Sequence, residues 1–127
     1  MNISKLSEAE TEVMYEIWGI NAPVTVARVL DIFSARRGWK TSTLSTIMDR
    51  LIDKGFLSKS LVGKINYYTA NFTEEVYKEH ETEIFMKEIH KGSVKSFIAA
   101  FAHSANISDE EIAEIRAWFL QQAGDDV

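Results

Sequence analysis

The sequence predicts a mainly α fold in two parts: a helix-turn-helix unit closed by a small hairpin over residues 1–72, and a helical appendage over residues 73–127. Three observations carry this. Three successive segments carry apolar stripes of helical period, the second and third at i, i+3, i+4 and i+7. A short β-branched and aromatic run with a glycine turn follows them. The remainder is again helical in period, but acidic and thinly apolar.

The first helix is announced by Ser7 with Glu10 three residues on, the spacing of a capping box in which each side chain satisfies the other's backbone N–H. Ala9, Val13, Met14, Ile17 and Trp18 form its apolar stripe, and Gly19 is expected to end it. Asn21-Ala22-Pro23 reads as a turn, because proline cannot continue a helix. Thr25 can cap a second helix striped by Val26, Val29, Leu30 and Phe33. Leu44, Ile47, Met48 and Leu51 stripe a third, with Gly55 where a left-handed residue past the helix end is wanted. Beyond Gly55, Phe56 to Ser60 and Ile65 to Thr69 are expected strands joined by a turn at Leu61-Val62-Gly63-Lys64. Three helices followed by a hairpin is winged-helix order.

In the second part, Thr73 can cap a helix whose Glu74 and Glu75 suit the positive end of its dipole, with Phe72 and Tyr77 as a staple. His80 to Glu83 is polar all round, Ile84, Phe85, Met86 and Ile89 are apolar, and Gly92 breaks the run. Val94, Phe97, Ile98 and Phe101 stripe the next helix. Ser108 with Glu111 forms a second capping box, with Ile107 and Ile112 as staple, and opens a helix carrying Ile115, Trp118 and Phe119. These apolar residues are too few to close a core within one chain. A second copy is the expected cover, which makes Phe85, Ile89, Val94, Phe97, Ile98, Phe101, Ile112, Ile115, Trp118 and Phe119 the candidate dimerisation residues of a C-terminal helical dimerisation domain.

The chain has 127 residues, no cysteine and a net charge of −5. Disulfides, thiolate nucleophiles and cysteine-built metal sites are therefore excluded. No stretch approaches the roughly 18 apolar residues that cross a bilayer, and the opening MNISKLSEAETE lacks the basic and apolar regions of a leader. A soluble, cytoplasmic chain without membrane insertion is expected. The acidic total hides a split: residues 1–72 hold nine basic and seven acidic residues, a balance of +2, and residues 73–127 hold five and twelve, a balance of −7. Between Arg36 and Lys64 only Asp49 and Asp53 are acidic, so one face can be positive on an acidic protein.

The third helix leaves Ser42, Thr43, Ser45, Thr46, Asp49 and Arg50 outside its apolar stripe. Hydroxyl-rich helices have poor intrinsic propensity, so local stability does not account for the composition. Short hydroxyl side chains do allow close approach to base edges, hydrogen bonds of either sense and methyl contacts to thymine. As the second helix of a helix-turn-helix, this is the one that would enter the major groove of double-stranded operator DNA. Lys40 before it, and Lys59 and Lys64 on the hairpin, are candidates for phosphates. A solvated face is the alternative for each. His80, His90 and His103 lack the spacing of a helical metal pair, and no cofactor, metal or catalytic constellation is expected.

The run Ser7-Glu8-Ala9-Glu10-Thr11-Glu12-Val13-Met14 with Ile17-Trp18 resembles the opening helix of the BlaI/MecI/CopY repressors. Trp39, Thr43 to Leu51 and Lys54-Gly55-Phe56-Leu57 are similar to their recognition helix and its exit, and Gly63-Lys64-Ile65-Asn66-Tyr67-Tyr68 to their wing. The resemblance runs through Lys91-Gly92 and the final capped helix. It implies a non-enzymatic homodimer that binds a two-fold operator and blocks transcription. Many relatives have a second aromatic in place of Thr11, and BlaI and MecI carry basic or amide side chains in place of Ser42 and Ser45. The copper-responsive branch binds metal through paired C-terminal cysteines, which this chain lacks. In the antibiotic-responsive branch a membrane sensor-protease system leads to cutting at an Asn-Phe bond; the matching position is Ala100-Phe101, where the Phe is retained and the Asn is not. The alternative to a repressor is a winged-helix protein-interaction module without sequence-specific DNA binding, which the acidic total and Ser42 and Ser45 favour.

Overall fold

Helix α1 (Glu8–Ile20) begins at the expected capping box: Ser7 Oγ accepts from Glu10 N at 3.2 Å, and Glu10 Oε1 accepts from Ser7 N at 2.7 Å. Gly19 does not end it. The helix runs one residue further and stops at Asn21, whose backbone is left-handed (φ 54°), a conformation that Asn tolerates better than most residues. Thr25 caps α2 (Val26–Arg37), and Gly38 closes it with φ 68°. α3 (Thr41–Asp53) ends in a Schellman pattern: Gly55 (φ 82°) donates to Ile52 O and Phe56 to Leu51 O. These features come from a computed structural model that describes residues 3–104 and 106–125.

The hairpin differs from the sequence expectation in register. β1 (Leu57–Val62) and β2 (Ile65–Ala70) pair antiparallel with Val62 opposite Ile65, so the turn is Gly63-Lys64 alone. A two-residue connection with positive φ only at its first position is the II′ pattern, whose twist matches that of the strands; Gly63 supplies that position at φ 64°. Leu61 and Val62 therefore belong to the strand. One further element has no sequence period to reveal it. Val24 exchanges two hydrogen bonds with Tyr68, at 2.9 and 2.7 Å, and adds a one-residue third strand to the hairpin.

The core of this unit, Met1–Glu81, takes Val13, Met14, Ile17, Val29, Phe33, Leu44, Ile47, Met48 and Leu51 from the predicted stripes, joined by Ile3, Val24, Phe56, Leu57, Tyr68 and Tyr77, while Ala9, Trp18, Val26 and Leu30 of those stripes are only partly buried against it. α4 (Glu74–Glu88) starts on a Thr73 cap, and its Tyr77 packs beside Trp18 and Phe56. Phe72 packs against the same two rings, so the staple acts through shared neighbours.

A buried ion pair holds the start of α1 to the end of α3. Glu10 is 1% exposed, and its Oε1 accepts from Lys54 Nζ at 2.6 Å while Oε2 has no protein partner among the described residues. Burial pushes the Glu10 carboxyl up, but hydrogen bonds from Lys54 and Ser7 outweigh it and hold the group below the usual glutamate range. A lowered folded pKa stabilises the fold above the unfolded value, and the gain is lost as pH falls through the folded one. Glu10→Gln, which keeps the Ser7 bond and removes the charge, is expected to cost about 1–3 kcal/mol at pH 7. In denaturant titrations the difference from wild type should close below the folded pKa; an equal difference at pH 7 and pH 3 would contradict this.

In the second unit, Thr82–Val127, α5 (Val94–Ser104) is capped by Ser93 and α6 (Asp109–Asp125) by Ser108. At the second expected capping box only half forms, because Ser108 Oγ donates to Glu111 Oε1 instead of Ser108 N doing so. Lys91 and Gly92, both left-handed, separate α4 from α5. Among the described residues of this unit none is buried.

Candidate nucleic-acid interface

α3 turns Leu44, Ile47, Met48 and Leu51 into the core and so fixes what faces outward. Ser42, Thr46 and Asp49 lie along the middle of the outward face, Thr43 and Arg50 flank one side, and half-buried Ser45 flanks the other. The Thr46 hydroxyl donates to Ser42 O at 2.9 Å. Its hydrogen is thus committed within the helix, and its lone pairs and methyl group face out. Asp49 was not among the sequence-predicted contacts, although a carboxylate there can accept from the N4 amino group of cytosine.

The N-terminus of α3 has no side-chain cap. Its N-cap is Lys40, which makes no capping hydrogen bond, whereas Ser7, Thr25, Thr73, Ser93 and Ser108 cap the other described helices. The first backbone N–H groups of α3 are thereby left to water or to a phosphate.

Charge pairing sorts the basic residues. Arg36 pairs with Glu16 and Glu12, Arg37 with Glu12, and Lys54 with Glu10. The bonds Arg37 donates lower the Glu12 carboxyl, and donating to Glu16 raises the Arg36 guanidinium; these pairs link α1 to α2. Among the described residues, no carboxylate lies within 4 Å of a charged nitrogen of Lys40, Arg50, Lys59 or Lys64. The four sequence-predicted cations are exposed and unpaired, while Arg36 and Arg37, which made the stretch look more basic, are not available. Only partner positions, invisible to a charge count, separate the two groups.

Lys59 lies on the hairpin face shared with buried Leu57 and Tyr68, and Lys64 sits in the turn. Burial raises the Tyr68 hydroxyl, and the negative charge of Asp49 adds to it.

Of the predicted dimerisation residues, Phe97 is half-buried and the other nine are exposed. Phe85, His90 and Phe97 meet edge to face at centroid distances of 5.2–6.2 Å, and Phe101 stacks on Phe97 at 5.8 Å. Leu120, off the predicted stripe, is as exposed as Val94. Ala100-Phe101 lies inside α5. Among the described residues there is no cluster of three or more potential metal ligands, and no helix is long and apolar enough to cross a membrane.

An outward hydroxyl-rich second helix, unpaired cations at its start and on a neighbouring hairpin, and a tri-helical core beneath define the winged-helix class of DNA-binding domains. The penicillinase repressor family profile matches residues 6–121, and the chain belongs to that family, one of transcriptional repressors and not of enzymes. It is 32% identical over 113 residues to the penicillinase repressor of Bacillus licheniformis, spanning 89% of this chain and 88% of that one. It is 28% identical over 112 residues to the methicillin resistance regulatory protein MecI of Staphylococcus aureus, spanning 88% and 90%. Two solved structures are similar at 34% identity: the DNA-binding domain of the repressor BlaI (TM-score 0.52, 57% of this chain and 88% of that one), and the monomeric form of Bacillus licheniformis BlaI in complex with the blaP half-operator (0.51, 58% and 89%).

Proposed function

We propose that this chain is a sequence-specific transcriptional repressor that binds a two-fold operator as a homodimer. The observation that carries it is the outward Ser/Thr face of α3 together with four exposed cations, two at α3 and two on the hairpin, that no carboxylate among the described residues pairs with. Lys40, Arg50, Lys59, Lys64 and the uncapped start of α3 supply phosphate contacts and affinity, and Ser42, Thr43, Ser45 and Thr46 supply base readout. Selection of duplexes from a pool with a randomised centre, followed by gel shifts at low and moderate salt, tests it. Enrichment of no sequence would favour an interaction module instead.

Ser42→Ala and Thr46→Ala are expected to weaken binding to the selected duplex by about 1–3 kcal/mol each and to leave random-sequence binding nearly unchanged, because hydroxyls neutralise no charge. Equal losses on both DNAs would remove them from the readout. Lys64→Ala should weaken binding to every sequence alike and reduce the log–log salt slope by about one unit. An unchanged slope would leave Lys64 solvated.

The dimer is held by the exposed apolar residues of α4, α5 and α6, within residues 73–127 as its dimerisation domain, although the start of α4, with Tyr77, packs into the core of the first unit. Relief of repression by a membrane sensor-protease system would act at Ala100-Phe101. That bond sits in a helix, so a protease must first unfold α5 locally.

A further inference from the structure

One outward side chain of α3 works against DNA binding. Ser42, Thr46 and Asp49 follow one another along the exposed face, and no cation lies within 4 Å of the Asp49 carboxylate among the described residues. With Ser45 they hold the spacing i, i+3, i+4 and i+7, from which the reading helix of a homeodomain, another helix-turn-helix protein, contacts bases. An ionised carboxylate at such a position brings negative charge between two rows of phosphates. Its lost hydration is made good only where a hydrogen-bond donor takes the place of water. Helix stability does not account for it either, because Asp has poor helix propensity and position 49 lies well past the first turn, where an acid would suit the dipole. In the major groove guanine presents N7 and O6 and thymine O4, all acceptors that repel a carboxylate. Adenine has an amino donor with the N7 acceptor beside it. Among the four bases, cytosine alone offers an amino donor and no acceptor.

Given a chain that reads duplex DNA with α3, as proposed above, we infer that Asp49 is a specificity-determining residue that accepts from the N4 amino group of one cytosine in each half-site and turns away duplexes with guanine or thymine in its place. It selects by exclusion. Lys40, Arg50, Lys59 and Lys64 attract any duplex, and Asp49 subtracts from that attraction unless cytosine is present, so it lowers binding to random DNA more than it lowers binding to the operator. The hydroxyls of Ser42 and Thr46 carry no charge and have no such effect on random DNA.

The test uses the full chain, and selects duplexes from the randomised pool with the wild type, with Asp49→Asn and with Asp53→Asn. Asp53, exposed at the end of α3 and about 6 Å further along its axis, loses the same charge beyond the reading positions and serves as the control. Circular dichroism and the thermal midpoint check that both variants fold. The wild type and Asp53→Asn are expected to recover one motif with a fixed cytosine in each half-site. Asp49→Asn should lose that cytosine, accept adenine in its place, and bind random-sequence duplex about tenfold more tightly. Exchanging the C·G pair for T·A in the recovered duplex should weaken the wild type by about tenfold or more and leave Asp49→Asn little changed. Recovery of the same cytosine by Asp49→Asn, an equal T·A penalty on both proteins, or the same gain on random DNA from Asp53→Asn would each overturn the inference while leaving the repressor reading intact. Recovery of no motif by the wild type would overturn both.

Discussion

Phe56→Ala is expected to cost about 3–5 kcal/mol, a large part of the roughly 5–15 kcal/mol that holds a domain of this kind together. Phe56 has no exposed surface, and its ring packs edge-on to Phe72 at 4.9 Å and to Tyr77 at 5.8 Å. Its backbone has a second role: the N–H closes the end of α3 on Leu51 O, and the carbonyl accepts from Asn71 N after β2. One residue thus sets the exit of α3, the base of the wing and the first turn of α4. Removing the ring leaves a cavity where these three converge, and the melting temperature should fall by roughly 15–30 °C. DNA binding would fail because the reading domain is no longer populated, not because a contact is missing. Phe56→Leu should recover most of the loss. A cost under about 1 kcal/mol for the alanine variant would mean that neighbours collapse into the space and that another residue joins wing to helix.

Phe56 also shows how far the sequence reaches. The stripes of α1, α2 and α3 name their buried residues because a repeated period of 3.6 survives any detail of packing. Thr25, Ser7 and Gly55 were legible for a related reason, since a cap is a local event decided by one or two side chains. What escaped depends on residues far apart in the chain. Glu10 reads as half of a capping box, and only its meeting with Lys54, 44 residues away, makes it a buried ion pair. Arg36 and Arg37 read as part of a basic face until Glu12 and Glu16 are found across from them. Val24 pairs with Tyr68 as a single residue, and a single residue has no period. The hairpin register shifted because a two-residue turn was open to Gly63-Lys64 only if Leu61 and Val62 entered the strand. Their exposure gave a period-two pattern no reason to include them.

Phe101→Asp is expected to turn a dimer into a monomer and to weaken operator binding by a factor of about 10²–10⁴. Two half-sites held by linked domains bind far more tightly than one, since the second contact becomes intramolecular. Of the stripe of Val94, Phe97, Ile98 and Phe101 on α5, with Ile112, Ile115, Trp118 and Phe119 on α6, only Phe97 is half-buried among the described residues of the second unit, and Phe101 stacks on it. A carboxylate at 101 would have to be desolvated without a partner when two copies meet, which opposes association strongly. The first unit keeps its own buried core and should stay folded. By contrast, α5 and α6 lose the surface that would bury them, and helices of 11 and 17 residues are marginal alone in water. Circular dichroism should therefore show a partial loss of helicity beside an unchanged melt of the reading domain. Sedimentation would report a monomer, and gel shifts would show weak binding that no longer depends on having two half-sites. If the variant sediments as a dimer and holds its operator, these helices are not the dimer interface. The proposed cut at Ala100-Phe101 would then have no means of releasing DNA, because its proposed effect is to destroy that interface.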